Sequence, residues 1–172
     1  MAISGLSVVG RDIYGAFRLK GKVLNVRDAS LDQIMKNSEI TNIKKILGLV
    51  NGKIYKDTKS LRYGKRMIMT EHDHDGSHIK GLVMNVFHHM WPSLLELGFI
   101  TSMITPIVKV SHKKKIKSFY TLTEYNEWLK KNNSKSWKTK YYKGLGTSSA
   151  SEAKEYFSNM KLNNYIYNDD TN

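Results

Sequence analysis

The fold is decided by one stretch, Arg66-Met-Ile-Met-Thr-Glu-His-Asp-His-Asp-Gly-Ser-His-Ile-Lys-Gly81. Its apolar residues 67–69 lead into three acids at alternate positions, Glu71, Asp73 and Asp75. If the backbone stays extended beyond residue 70, a side-chain period of two places the three carboxylates on one face. Apolar residues with helical spacing follow from about Ser77. The acids are therefore predicted to lie in a strand-to-helix turn, at the carboxyl end of a central strand, where open α/β sheets commonly bind ligands.

The three acids of this turn indicate a metal site. Like charges at such close spacing repel one another unless a cation is bound among them. Carboxylate oxygens suit a hard ion such as Mg²⁺, so Glu71, Asp73 and Asp75 are the predicted metal ligands. A Ca²⁺-binding EF-hand loop is excluded, because the glutamate required at its twelfth position is replaced by Leu82. A solvated acidic loop is the simpler alternative.

Histidines in the same stretch raise the possibility of zinc. On an extended strand, His72 and His74 face away from the carboxylates, so they do not easily share one ion with them. A zinc site is therefore not expected. His78 and Lys80 fall in the first turn of the predicted helix, where backbone N–H groups favour an anion such as a phosphate. Simple solvation is the alternative for both side chains.

The composition is that of a strongly basic chain. Its 172 residues, enough for one domain with its own core, contain 28 Lys and Arg against 15 Asp and Glu, a net charge of +13. This charge favours polyanions, nucleic acid before an acidic membrane surface. The chain has no Cys, which excludes disulfides and thiolate metal sites. Without a membrane-length apolar run or a signal-peptide pattern, we expect an intracellular protein with no membrane partner.

Strands and helices alternate along the chain, which predicts an α/β fold. Capping boxes at Ser30 and Ser149 predict the starts of two helices. A third helix should follow Ser38, a fourth should break at Pro92, and Thr123 should cap a fifth over 124–131. A strand and turn are expected at 14–25, and a strand at 99–110 with an edge or a bulge at Pro106. A second strand at 116–122 should form a hairpin with it, and a further strand is expected at 137–142. Beyond Met160 the Asn- and Asp-rich sequence should fray.

Two basic turns contain glycines. Lys20-Gly-Lys22 is followed by Asn25 and Arg27, and Lys143-Gly-Leu-Gly-Thr147 precedes the Ser149 capping box. The second is not a Walker A loop, because its spacing differs, but its glycines would let a backbone approach a ligand closely. An ordinary basic loop is the alternative for each. The three tryptophans lie in apolar patterns and are expected to pack in the interior.

Five ordered motifs resemble the TOPRIM region of type IIA DNA topoisomerases, in the eukaryotic and large-DNA-virus branch. They are residues 5–12, 21–27, 61–64, 68–81 and 141–147. The resemblance implies a Rossmann-like TOPRIM fold over residues 1–160, with a mainly parallel central sheet flanked by helices and lacking its first strand. It also implies that residues 161–172 are a polar tail, or the start of a linker to a winged-helix domain that this chain lacks.

The same resemblance assigns roles to residues. Glu71 and Asp73 would hold Mg²⁺ for cleavage and religation, with Asp75 as the third acid of the turn. Lys22 and Asn25 would contact DNA near the scissile bond, with Lys143 close by. A glutamate and a nucleophilic tyrosine are expected outside this chain, and ATP would act only through a domain that it lacks. The isolated chain should therefore be inactive.

The implied partners are double-stranded DNA, the remaining domains or subunits of the enzyme, and a second copy in a homodimer. The implied location is the nucleus for a cellular source, or the viral replication site for a viral one. Two departures from the family pattern stand out. Glu71 replaces the usual aspartate, and Arg18-Leu-Lys-Gly-Lys22 replaces Pro-Leu-Arg-Gly-Lys, which loses a rigid proline and a forked guanidinium.

Two alternative functions fit the same residues. One is another TOPRIM phosphotransferase, such as a primase or a nuclease, which would nick DNA without forming a covalent protein–DNA adduct. The other is a non-catalytic basic DNA-binding module, in which the acids would have no role in Mg²⁺-dependent chemistry.

Overall fold

The computed structural model describes residues 2–71, 73–143 and 145–165. Three regions of the sequence predictions include residues outside these ranges: His72 in the histidine group, for which zinc is not expected, Gly144 in the glycine pair, and residues 166–172 in the polar tail. The described residues form two compact units. The first takes in the described parts of Met1–Ala16, Glu71–Asp73 and Ile104–Lys161, and the second those of Phe17–Thr70, His74–Met103 and Leu162–Asn172.

The α-helices and strands are interspersed along the chain, with two short 3₁₀ turns at Ser134–Ser136 and Leu145–Thr147. The helices are α1 (Ala2–Val9), α2 (Leu31–Lys36), α3 (Ser38–Leu47), α4 (His74–Met90), α5 (Pro92–Glu96), α6 (Leu122–Lys131) and α7 (Ala150–Ser158). The strands are β1 (Arg66–Ile68), β2 (Ile100–Ile104), β3 (Val108–His112), β4 (Lys115–Phe119), β5 (Lys138–Tyr141) and β6 (Lys161–Asn164). The predicted α/β class is confirmed.

The second unit is built around a buried aromatic group. Phe87 of α4 packs against Trp91 and Phe99, with ring centroids 5.8 and 6.0 Å apart, and all three side chains are almost fully buried. The Trp91 indole N–H donates to the Val50 carbonyl at 2.8 Å. Tyr55 donates its own backbone N–H to the Ser93 hydroxyl at 3.0 Å. These bonds hold the polar connection between α3 and β1 against the core. The connection itself contains no helix or strand.

Local capping signals were predicted well in the second unit. Ser30 and Gln33 form the expected capping box of α2. Asn37 caps α3, whose buried face contains the predicted Ile40 and Ile43. This helix ends at Gly48, whose φ of 74° is a left-handed conformation that glycine adopts without strain. Pro92 occupies the first turn of α5, as its missing N–H favours.

The sheet of the second unit has the order β1-β2-β6. β1 and β2 are parallel, with Arg66 opposite Ile100 and Ile68 opposite Ser102. The prediction that the chain frays beyond Met160 is wrong for residues 161–164, because pairing in this sheet orders them as β6. The predicted strand within 14–25 is also absent. Val23 and Val26 are buried there, but none of these described residues joins a sheet.

The first unit contains an antiparallel sheet in the order β4-β3-β5. The expected hairpin joins β3 to β4 through Lys113, which has a φ of 53°. The prediction of one strand over 99–110 is wrong, because the chain is divided around Pro106 into β2 and β3, which belong to different sheets. The buried face of this sheet packs on α6, where Trp128 stacks edge to face with Trp137 at 5.2 Å. Trp91 and Trp128 are buried, as predicted, whereas Trp137 is only partly buried against the cluster that contains Trp128.

Two details of the first unit correct or extend the sequence analysis. The cap of α6 is Thr121 rather than Thr123, because the Thr121 hydroxyl accepts the backbone N–H of Glu124 at 3.1 Å. Helices α1 and α7 pack so closely that a Cβ on Gly5 would lie 2.3 Å from the Phe157 ring, so only glycine fits there. Among the described helices, none is long and apolar enough to cross a bilayer.

Candidate functional site

The acid turn follows β1 and ends in α4. β1 stops at Ile68, and the Arg66 backbone N–H donates to the Phe99 carbonyl at 2.8 Å, which fixes the strand in its sheet. α4 begins at His74, so Asp75 lies in the first helical turn. The expectation of an extended backbone from 70 to 75 is therefore wrong, and so is the later helix start near Ser77. A carboxylate in the first turn is stabilised by the helix dipole, which favours this earlier start.

The side chains of Glu71, Asp73 and Asp75 are all exposed to solvent. Among the described residues, no three His, Asp or Glu side chains are grouped closely enough to hold a metal ion. The Asp75 carboxylate instead forms an ion pair with the Lys22 ammonium, and the distance from Nζ to Oδ1 is 3.1 Å. The hydrogen bond and charge of Lys22 lower the pKa of Asp75, and His78 and His74 add to this effect.

The first basic turn lies beside α4 in the second unit. Gly21 has a φ of 89°, which reverses the chain just before Lys22. The Asn25 side-chain oxygen accepts from the Arg27 backbone N–H at 3.3 Å and from the Asn85 amide of α4 at 3.2 Å. Two candidate DNA-contacting residues, Lys22 and Asn25, are thus both bonded to α4, the helix whose first turn carries Asp75.

The second basic turn lies in the first unit, after β5. Tyr142 donates its backbone N–H to the Ile107 carbonyl at 2.8 Å and is largely buried, whereas the next residue, Lys143, is exposed. The Tyr142 hydroxyl donates to the Glu152 carboxylate of α7. Burial and this bond raise the pKa of Tyr142 far above its ordinary value, so the phenol stays protonated.

Glu152 is the centre of an ionic network in the first unit. Its carboxylate also accepts the Lys140 ammonium at 2.9 Å and the Ser149 backbone N–H at 2.8 Å. Burial alone would raise the pKa of Glu152, but the bonds from Tyr142, Ser149 and Lys140 outweigh it and lower the pKa to about 2. The buried Lys109 lies 4.0 Å from Glu152 and 3.1 Å from Glu155.

The sequence analysis found some of these residues and missed others. The Ser149 and Glu152 capping box was predicted and is confirmed. The further bonds of Glu152 to Lys140 and Tyr142, and the ion pair of Lys109 with Glu155, join residues 10 to 46 positions apart and left no signal in the sequence. The same is true of Asn85, which is 60 residues from the Asn25 that it orients.

Comparison with known proteins finds similar sequences. Residues 103–172 match the family model described as the C-terminal associated domain of TOPRIM. The chain is 59% identical to DNA topoisomerase 2-beta of Gallus gallus over 97% of its own length, and 61% identical to DNA topoisomerase 2-alpha of Homo sapiens over 94%. The chain is therefore similar to DNA topoisomerase 2 proteins over nearly all of its length.

A solved structure of this family has the same fold. It is the DNA-binding, cleavage and re-ligation domain of topoisomerase II from Plasmodium falciparum, with a TM-score of 0.87 and 55% sequence identity. The match covers 91% of this chain and 22% of that structure. The chain spans about a tenth of the length of the two topoisomerase relatives above.

Proposed function

We propose that this chain is the Mg²⁺-binding TOPRIM part of an ATP-dependent type II DNA topoisomerase, which cleaves, passes and religates duplex DNA. The observation that carries the proposal is the 58–62% identity to proteins named DNA topoisomerase 2, over 94–97% of the chain. The net charge of +13 also supports a polyanionic partner. The Rossmann-like arrangement of a mainly parallel sheet belongs to the proposal as well, supported by the parallel pairing of β1 with β2.

Glu71, Asp73 and Asp75 are the proposed metal ligands. Their donor chemistry fits Mg²⁺, because all three offer carboxylate oxygens and all three are exposed. They supply only part of a coordination sphere, since no closed group of three acids exists among the described side chains. When bound, Mg²⁺ would stabilise negative charge on the phosphodiester during cleavage and religation.

The chain's own residues have binding roles in this proposal. Lys22 would place a cation against the DNA backbone beside α4, and Asn25 would be held for a second contact by its bond to Asn85. Lys143, exposed after β5, would supply another cation. Phosphate contacts of this kind fix the position of DNA on a protein without reading its sequence. A tyrosine outside this chain would provide the nucleophile.

The proposed partners are duplex DNA, the other domains or subunits of the enzyme, and a second copy in a homodimer. The proposed location is the nucleus in a cell, or the replication site of a virus. ATP would be bound by a different part of the enzyme.

A double substitution tests the metal proposal. In the full-length enzyme that contains this chain, Glu71→Ala with Asp73→Ala should abolish Mg²⁺-dependent formation of the covalent protein–DNA adduct. Noncovalent duplex binding should persist, because the basic residues are unchanged. Undiminished adduct formation would support the alternative of a non-catalytic DNA-binding module. Nicking without any adduct in the unsubstituted enzyme would favour the primase or nuclease alternative.

A further inference from the structure

The turn that carries Lys143 is held at both ends by one carboxylate. Before the turn, Glu152 accepts the Tyr142 hydroxyl and the Lys140 ammonium. After the turn, it accepts the Ser149 backbone N–H, and its own backbone N–H donates to the Ser149 hydroxyl at 3.2 Å. Every one of these partners belongs to the first unit.

The surroundings of the Glu152 carboxylate restrict its motion. Its side chain is only 18% exposed, and both of its oxygens accept hydrogen bonds. Tyr142 has two further contacts. Its backbone N–H donates to the Ile107 carbonyl, and the Lys140 ammonium lies 4.6 Å from its ring centre. A capping box needs only the bonds between Ser149 and Glu152, so the bonds to Tyr142 and Lys140 exceed what helix capping requires.

Lys143 follows Tyr142 directly and is exposed. A lysine side chain is long and flexible, so its backbone must be held if its ammonium is to meet one phosphate reproducibly. The bonds of Glu152 hold the backbone on both sides of the turn. We propose that Glu152 is a positioning residue for DNA, which acts through Lys143 and touches no phosphate itself. This inference rests on the proposed function, in which Lys143 contacts DNA.

Glu152→Gln tests the proposal with little change of shape. A glutamine keeps one acceptor oxygen for Ser149 but carries no charge, so the ion pair with Lys140 is lost, and its NH₂ group faces the Tyr142 hydroxyl, which can then no longer donate to residue 152. Glu155→Gln is the matched control, because it makes the same charge change on the same helix. Glu155 pairs with Lys109, and none of its bonds reaches the turn.

The measurement is duplex DNA affinity of the full-length enzyme at several salt concentrations. Lys143→Ala should reduce the salt dependence by about one phosphate contact. Glu152→Gln should weaken binding between about threefold and tenfold, as expected for coupled residues. In the Lys143→Ala background the same change should have almost no effect, because its action passes through Lys143. Glu155→Gln should bind like the unsubstituted enzyme.

Three results would overturn parts of this account, and they are distinguishable. An equal loss from Glu152→Gln in both backgrounds would show a general structural role and refute positioning. No loss from Glu152→Gln, beside a clear loss from Lys143→Ala, would also refute positioning while leaving the DNA contact intact. Unchanged affinity and salt dependence in Lys143→Ala would refute the DNA contact in the proposed function. If Glu152→Gln fails to fold, Tyr142→Phe removes one of the same bonds and carries the same expectations.

Discussion

Glu152 shows how a single side chain can combine structural and electrostatic roles. A capping residue on a helix surface needs one backbone partner, whereas Glu152 has two further donors, Lys140 of β5 and Tyr142 just after it. The cost of partly burying its charge is offset by these bonds, since a carboxylate with several donors favours its ionised form. The low pKa of Glu152, about 2, follows from this balance.

This low pKa predicts how stability depends on pH. The folded state lowers the pKa of Glu152 from 4.5 to about 2, so the ionised carboxylate stabilises the fold at pH above about 4.5. That stability is lost as pH falls toward 2, and amounts to about 3 kcal/mol at most. Glu152→Gln should therefore flatten the acid limb of the Tm-versus-pH curve between about pH 5 and 2. A variant with the same acid limb as the unsubstituted chain would contradict the assignment, and Glu155→Gln is the control.

Lys22 and Asp75 show the limits of prediction from sequence at this scale. Both were predicted as functional residues, one for DNA and one for metal. Their ion pair, 53 positions apart in sequence, was not predicted, because nothing local encodes it. Both side chains are more than half exposed, so the pair adds little to stability and leaves each partner available to a ligand.

At the level of helices, local chemistry was a reliable guide. The boxes at Ser30 and Ser149, the proline at the start of α5 and the buried face of α3 all depend on residues within one or two turns. Strands were predicted less well, because a strand exists only where a partner is available. β6 was missed for this reason, and a strand at 14–25 was predicted where none of the described residues is paired.

The capping of α6 gives a direct test at this scale. Thr121 accepts the backbone N–H of Glu124, and the Glu124 carboxylate accepts the Thr121 backbone N–H at 3.3 Å. Thr121→Ala should cost about 1 kcal/mol of unfolding free energy, measured by denaturant titration. Thr123→Ala is the matched control, because Thr123 is exposed in the first turn and should cost less than about 0.5 kcal/mol. Equal losses in the two variants would contradict the assignment of the cap.

At the scale of the whole molecule, the net charge and the order of the motifs predicted more about the function than the periodicity of apolar residues did. The +13 charge favours nucleic acid, and five motifs in order predicted the resemblance to topoisomerase II that the comparisons confirm. The α/β class followed from alternation alone. The division into two units did not, because each unit gathers segments that are distant in sequence, and these segments meet only through tertiary contacts.

The most direct test of the proposed function is the change in linking number of a single plasmid topoisomer. The full-length enzyme that contains this chain should change it in steps of two with Mg²⁺ and ATP, because one duplex is passed through a break in another. The isolated 172-residue chain should leave the topoisomer unchanged, since it should lack the nucleophilic tyrosine and the ATP-binding domain. Steps of one by the full-length enzyme, or relaxation by the isolated chain, would contradict the account.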